Sequence, residues 1–121
     1  MYNEEILKIY VIEMKEIIQI LKESINLLQE DSQNEEARRM AYVNYHKLKG
    51  NSAIIGLDYL RQFCYLFETY LKKNGEISDE ILKLLRESND TFNDLYDTFQ
   101  QGEFVDLDIE LVNTFKKQLN K

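Results

Sequence analysis

Leu7-Lys8-Ile9-Tyr10-Val11-Ile12-Glu13-Met14-Lys15-Glu16-Ile17-Ile18-Gln19-Ile20-Leu21 decides the fold class. Through it and on to the end of the segment, Leu7, Tyr10, Met14, Ile17, Leu21, Ile25 and Leu28 recur every three or four positions. That spacing tracks the 3.6-residue turn and lays one apolar stripe along a long helix, which must be buried against other elements. No stretch of the chain alternates apolar and polar residues for long enough to form a half-buried strand.

The same spacing divides the rest of the chain into helices. Asp31-Ser32-Gln33-Asn34 breaks the first, and Ser32 with Glu35 has capping-box spacing for a new start. The second helix is expected from about Glu35, past His46, to about Ile55, with Gly56 as terminator. Its inward line is Ala37, Ala41, Leu48 and Ile55, with Ser52 between them. Asp58 is placed to cap a third helix carrying Leu60, Cys64, Phe67 and Leu71, and Asn74-Gly75 marks the next turn. Ser78-Asp79-Glu80 opens a fourth helix with an N-cap residue and first-turn acids that favour the dipole. Its buried line is Ile81, Leu85, Ser88, Phe92, Leu95 and Phe99, and Gln101-Gly102 ends it. Asp106 is expected to cap a last helix carrying Leu107, Leu111, Val112, Phe115 and Leu119. One-sided helices on short connections predict an all-α fold, an antiparallel four-helix bundle with an additional C-terminal helix covering one end or flank. The size of the chain predicts a single domain over residues 1–121.

Composition removes several classes of function. The 121 residues contain no proline and four glycines, and their formal charge is −7. Such a balance opposes nucleic-acid binding, which needs a basic stripe, and disfavours an anionic membrane surface. One cysteine excludes an internal disulfide and provides no metal-ligand spacing, so no metal site is expected. Met1-Tyr2-Asn3-Glu4-Glu5 lacks the basic start and apolar run of a signal peptide. No apolar run approaches the roughly 20 residues of a membrane span, and a cytoplasmic location is expected. The chain has no Gly-rich phosphate loop and no Glu-x-x-His or His-Glu-x-x-His pattern, so neither ATP binding nor autonomous catalysis is expected of it.

One segment carries chemistry: His46-Lys47-Leu48-Lys49-Gly50-Asn51-Ser52-Ala53, around the chain's single histidine. On a helix Lys49 and Gly50 lie one turn beyond His46 on the same face. That face then holds a titratable nucleophile, a fixed positive charge and a position with no side chain. Gly inside a helix costs about 1 kcal/mol relative to Ala, so its place beside an imidazole calls for a functional reason. The arrangement suits a histidine that accepts a phosphoryl group while another protein's backbone presses close. The bland alternative is a solvated histidine next to a stray glycine.

His46-x-Leu48-Lys49-Gly50, with Gly56 ten residues after the histidine, resembles the signature of histidine-containing phosphotransfer (HPt) domains. The likeness is strongest to the N-terminal phosphoacceptor domain of chemotaxis-type histidine kinases, and it spans nearly the whole chain. Tyr10-x-x-Glu13-x-x-Glu16-x-Ile18 is similar to the family's first helix, Leu66-Phe67-Glu68 to a hydrophobic-acid pair on its third, and Asn74-Gly75-Glu76-Ile77 to its next turn. Asp90 stands at a recurrent acidic position of the fourth helix. The resemblance implies that His46 is the phosphoacceptor, attacking through a neutral imidazole nitrogen. It implies that Glu68 accepts a hydrogen bond from the other ring N–H and orients the ring, as a carboxylate orients a base in nucleophilic catalysis. Lys49 would neutralise phosphoryl oxygens and Gly50 would clear the partner's approach.

The implied partners are a response-regulator receiver domain, which would bring the acceptor aspartate and Mg2+, and a histidine kinase catalytic domain in cis or in trans. A free-standing carrier and the first domain of a larger kinase would share these residues, and the chemotaxis-type likeness leans towards the second.

Each assignment has a plainer rival. Glu68 lies in line with Arg61, Tyr65 and Lys72, and an exposed pair with Lys72 would satisfy it. Lys47 reads as surface, or as peripheral to a docking face. Cys64 fits the core stripe, where a thiol is inert. Two departures from the family pattern bear on partner choice. Tyr45 replaces the usual small apolar neighbour of the histidine and is expected to shape the docking surface or partly cover the ring. Tyr65 stands where chemotaxis-type domains often carry a second histidine, and is placed with the docking residues. The competing function is a helical adaptor in which His46 is not phosphorylated, and a buried or unpartnered His46 would favour it.

Overall fold

The computed structural model describes residues 3–73 and 75–121. Asn74 of the expected Asn74-Gly75 turn lies outside the described residues. Five helices follow in order: α1 (Glu4–Glu30), α2 (Glu35–Ile54), α3 (Asp58–Lys72), α4 (Asp79–Gln100) and α5 (Ile109–Leu119). No strand occurs among the described residues, and no helix there is long and apolar enough to cross a membrane. α2 packs against both α1 and α3, α1 against α4, and α5 against α3. This is the helical bundle with a fifth, C-terminal helix on its flank.

The expected stripes form the core. Tyr10, Met14, Ile17, Leu21, Ile25 and Leu28 of α1 are buried, as are Leu60, Cys64, Phe67 and Leu71 of α3. An aromatic cluster joins four helices: Phe63 meets Phe92 of α4 and Phe115 of α5, while Tyr45 of α2 stacks on Phe67 at 5.0 Å and 12°. The polar residues in the inward lines have partners. Ser52 Oγ lies 3.0 Å from the Tyr10 hydroxyl, and Ser88 Oγ lies 2.6 Å from the Tyr45 hydroxyl. Buried hydroxyls need such bonds, and these two tie α2 to α1 and to α4.

Helix ends show where local signals held and where they did not. Asn3 and Ser78 accept hydrogen bonds from Ile6 N and Ile81 N as N-caps. α2 is capped by Asn34, whose side chain accepts from Ala37 N at 3.0 Å, and not by Ser32. Ser32 is two residues too early, inside a turn that Asp31 closes by accepting from Gln33 N. Gly56 ends α2 with φ 78°, a left-handed conformation that glycine adopts without strain. Gly56 N donates to Ala53 O and Leu57 N to Ser52 O, the paired bonds of a Schellman turn that send the chain back as α3.

The expected caps of α3 and α5 are corrected. Asp58 is the first residue of α3 and does not cap it. The carboxylate of Asp106 accepts from Tyr59 N at 2.9 Å and from Leu60 N at 2.8 Å, so the donors at the start of α3 are satisfied from a distant part of the chain. Asp108, adjacent to the first residue of α5, caps that helix by accepting from Glu110 N.

Candidate functional site

α2 and α3 are joined by three residues, Ile55 to Leu57, and therefore run antiparallel side by side. Their register sets His46 of α2 across from Glu68 of α3 and, one turn along, Lys49 across from Tyr65. Glu68 is 5% exposed, whereas the His46 side chain is 59% exposed. A buried carboxylate thus reaches an outward-facing imidazole from beneath.

Both Glu68 oxygens are engaged. Oε1 lies 2.5 Å from His46 Nδ1 and Oε2 lies 2.6 Å from Lys49 Nζ. Burial alone would lift the Glu68 carboxyl. The contacts with Lys49 and His46, and the Lys49 charge, outweigh that and hold it below the usual carboxylate range. An ionised acceptor on Nδ1 favours the tautomer with the proton there, which leaves Nε2 of a neutral ring as the nucleophilic nitrogen. The alternative pairing of Glu68 with Lys72 is not formed: Glu68 faces into the α2–α3 seam.

Two aromatic rings flank this triad. Tyr65, 54% exposed, lies with its ring centroid 5.2 Å from Lys49 Nζ. Tyr42, one turn before His46, stacks on the imidazole at 6.2 Å and 16°. Sequence reasoning passed over Tyr42. Its spacing of four residues from His46 was the available signal.

Tyr45 is not part of the docking surface. It is fully buried, stacked on Phe67 and hydrogen-bonded to Ser88. Each residue turns a helix by about 100°, so the residue before an outward histidine swings into the core. Tyr45 sits four residues after Ala41 and three before Leu48, on the inward line. Burial pushes its phenol, like that of Tyr10, well above the ordinary tyrosine range. Lys47 is exposed on the adjoining face. Cys64 is buried and its thiol pushed well up by burial, as an inert core thiol should be.

Gly50 stands exposed one turn beyond His46, and a Cβ there would meet nothing within 4 Å. Packing inside this chain does not demand glycine at that point; the open space lies on the outside of α2. Further along, Asn51 Nδ2 donates to Glu13 of α1 at 2.7 Å. Glu16 and Asp90 are exposed on α1 and α4. Of the residues singled out from sequence, His46, Glu68, Lys49 and Tyr65 therefore come together, Gly50 and Lys47 border them, and Tyr45 lies inside.

An exposed imidazole is therefore held at Nδ1 by a buried carboxylate. The Hpt domain family model matches residues 5–102. Among solved structures, the phosphorylated P1 domain of CheA3 from R. sphaeroides, determined in complex with CheY6, aligns with a TM-score of 0.82 at 20% identity, covering 98% of this chain and 94% of that one. No curated protein matches the chain significantly.

Proposed function

The chain belongs to the Hpt domain family, and on that premise we propose that it carries a phosphoryl group on His46 and passes it to an aspartate of a response-regulator receiver domain. Hpt domains are phosphotransfer modules rather than catalytic enzymes. The observation that carries the reading is the hydrogen bond between His46 Nδ1 and Glu68 Oε1, with Lys49 ion-paired to Oε2. With Nδ1 held by the carboxylate, Nε2 presents its lone pair outward from a 59% exposed ring.

The transfer steps follow from that geometry. Nε2 attacks phosphorus in line with the leaving group, the Nε2–P bond forms, and the donor departs with the electrons of its own bond to phosphorus. The ring becomes cationic, and Glu68 stabilises it from the Nδ1 side. In the second step a receiver aspartate attacks, the Nε2–P bond breaks, and the ring returns to neutrality. The protein's contribution is positioning and charge, as in phosphoryl transfer generally. Lys49, ion-paired with Glu68, brings a positive charge and an ammonium with N–H donors to meet phosphoryl oxygens. The receiver supplies the acceptor and the Mg2+, and the donor is a histidine kinase catalytic domain in cis or in trans. A receiver partner is supported by the structural neighbour, which was solved in complex with CheY6.

The test is transfer itself. Chain phosphorylated by a small donor is mixed with a receiver domain and Mg2+, and the phosphoryl group on each protein is followed by intact mass. The expected result is loss from the chain matched by gain on the receiver, and none with the receiver's aspartate replaced. Retention of the group on the chain in the presence of several receivers would overturn the carrier reading.

A further inference from the structure

The Glu68 carboxylate sits between two unlike partners. On one side is the His46 ring, stiff and anchored on α2. On the other is the Lys49 ammonium, 23% exposed on a long stem that loses rotamer freedom when held and for which water competes. The Lys49 ammonium also lies over the ring of Tyr65, its centroid 5.2 Å from Nζ, inside the roughly 6 Å range of cation–π attraction. Tyr65 is itself 54% exposed, so the ring is not placed there to fill the core.

We propose that Tyr65 is a positioning residue: its ring seats the Lys49 ammonium against Glu68, and through Glu68 it sets the orientation and tautomer of His46. The proposal rests on His46 being the phosphoacceptor. The antiparallel register makes it geometrically direct, because the two residues three apart on α2, His46 and Lys49, face the two residues three apart on α3, Glu68 and Tyr65. The attraction belongs to the ring face and not to the hydroxyl, so phenylalanine serves equally and an aliphatic residue of similar bulk does not.

The experiment uses the full chain with Tyr65→Phe, Tyr65→Leu, Lys49→Met and the Tyr65→Leu/Lys49→Met double variant. The first readout needs no phosphorylation: the NMR shift of the Lys49 ε-methylene protons. Ring current moves them upfield in the parent and in Tyr65→Phe, and they return to the free-lysine position in Tyr65→Leu. The second readout is the rate of His46 phosphorylation by phosphoramidate. It falls about two- to fivefold in Tyr65→Leu, the size expected of one partly exposed cation–π contact, and is unchanged in Tyr65→Phe. In the Lys49→Met background, Tyr65→Leu has no further effect.

Unshifted ε-methylene protons in the parent would overturn the proposal. So would equal phosphoramidate rates for the parent and Tyr65→Leu, or a slowing that persists without Lys49. Slower transfer to a receiver in both Tyr65 variants, with the phosphoramidate reaction untouched, would overturn it in favour of a docking role. A parent chain that accepts no phosphoryl group would defeat the carrier reading, while the Lys49 shift would still decide whether Tyr65 is the seat.

Discussion

Replacing Glu68 by Gln keeps the shape of the side chain and removes its charge. The carboxylate accepts from His46 Nδ1 at 2.5 Å and is ion-paired with Lys49 Nζ at 2.6 Å, and an amide has one oxygen and no charge to offer the two. Its NH2 group must therefore face one of the two donors. Breaking a fully buried ion pair costs ~3–5 kcal/mol, but Lys49 is 23% exposed and can swing into water. The hydrogen bond and the ion pair of a charged group, less that recovery, give an expected destabilisation of about 1–3 kcal/mol in urea unfolding.

The rate carries a separate cost. A charge-assisted bond to the forming imidazolium outdoes a neutral one by about 1–2 kcal/mol, so phosphorylation by phosphoramidate should slow by about 5- to 30-fold. Combining Glu68→Gln with Lys49→Met removes the unpaired cation and should recover part of the stability but none of the rate. Acid titration adds the sign. The carboxyl is held below its ordinary range in the folded chain, so its stabilisation is complete above the unfolded value of about 4.3 and is lost as pH falls through the depressed folded one. Glu68→Gln should flatten that part of the acid limb. A folded Glu68→Gln protein phosphorylated at the parent rate would refute the reasoning.

Gly50→Ala, placed in open space, should stabilise α2 by up to about 1 kcal/mol and leave the phosphoramidate reaction alone while slowing transfer to a receiver; equal transfer rates would show that the glycine does not clear a partner's path. Asp106→Ala should cost about 1–2 kcal/mol in urea unfolding, whereas Asp58→Ala should cost much less; the reverse order would contradict the capping of α3 by Asp106. At high pH, the raised phenols of Tyr10 and Tyr45 favour the fold below the unfolded tyrosine value of about 10 and cease to do so as pH climbs towards their folded values. Phenolate absorbance should then show two of the eight tyrosines titrating only together with loss of helix; titration of all eight before unfolding would contradict their burial.

How much of this was legible in the sequence depended on how local each determinant is. The apolar stripes of α1, α3 and α4 are read from spacing alone, because burial of a helix face is a property of the helix itself. Gly56 and Gly102, both with positive φ at helix ends, are equally local. Asp106 was assigned to the wrong helix because its carboxylate reaches back 47 residues to Tyr59 N, a pairing that only tertiary structure creates. Tyr45 was misplaced by its nearness to His46 in sequence, although its own spacing from Ala41 and Leu48 put it on the inward line. Glu68 stands at the edge of its helix's stripe, with Cys64 and Leu71 buried on one side and Tyr65 and Lys72 exposed on the other, so periodicity alone left it open. Its role came from resemblance, and the α2–α3 register supplies the physical reason. Tyr42 was open to the same helical spacing argument, four residues before His46, whereas the contact of the Tyr65 ring with Lys49 exists only through the α2–α3 register.

The most direct test is the intact mass of the chain after incubation with phosphoramidate, measured beside His46→Gln. The account predicts one acid-labile phosphoryl group on the parent and none on the variant. A folded parent that takes up no phosphoryl group, or a variant that takes up as much, would contradict the assignment of His46 as the carrier.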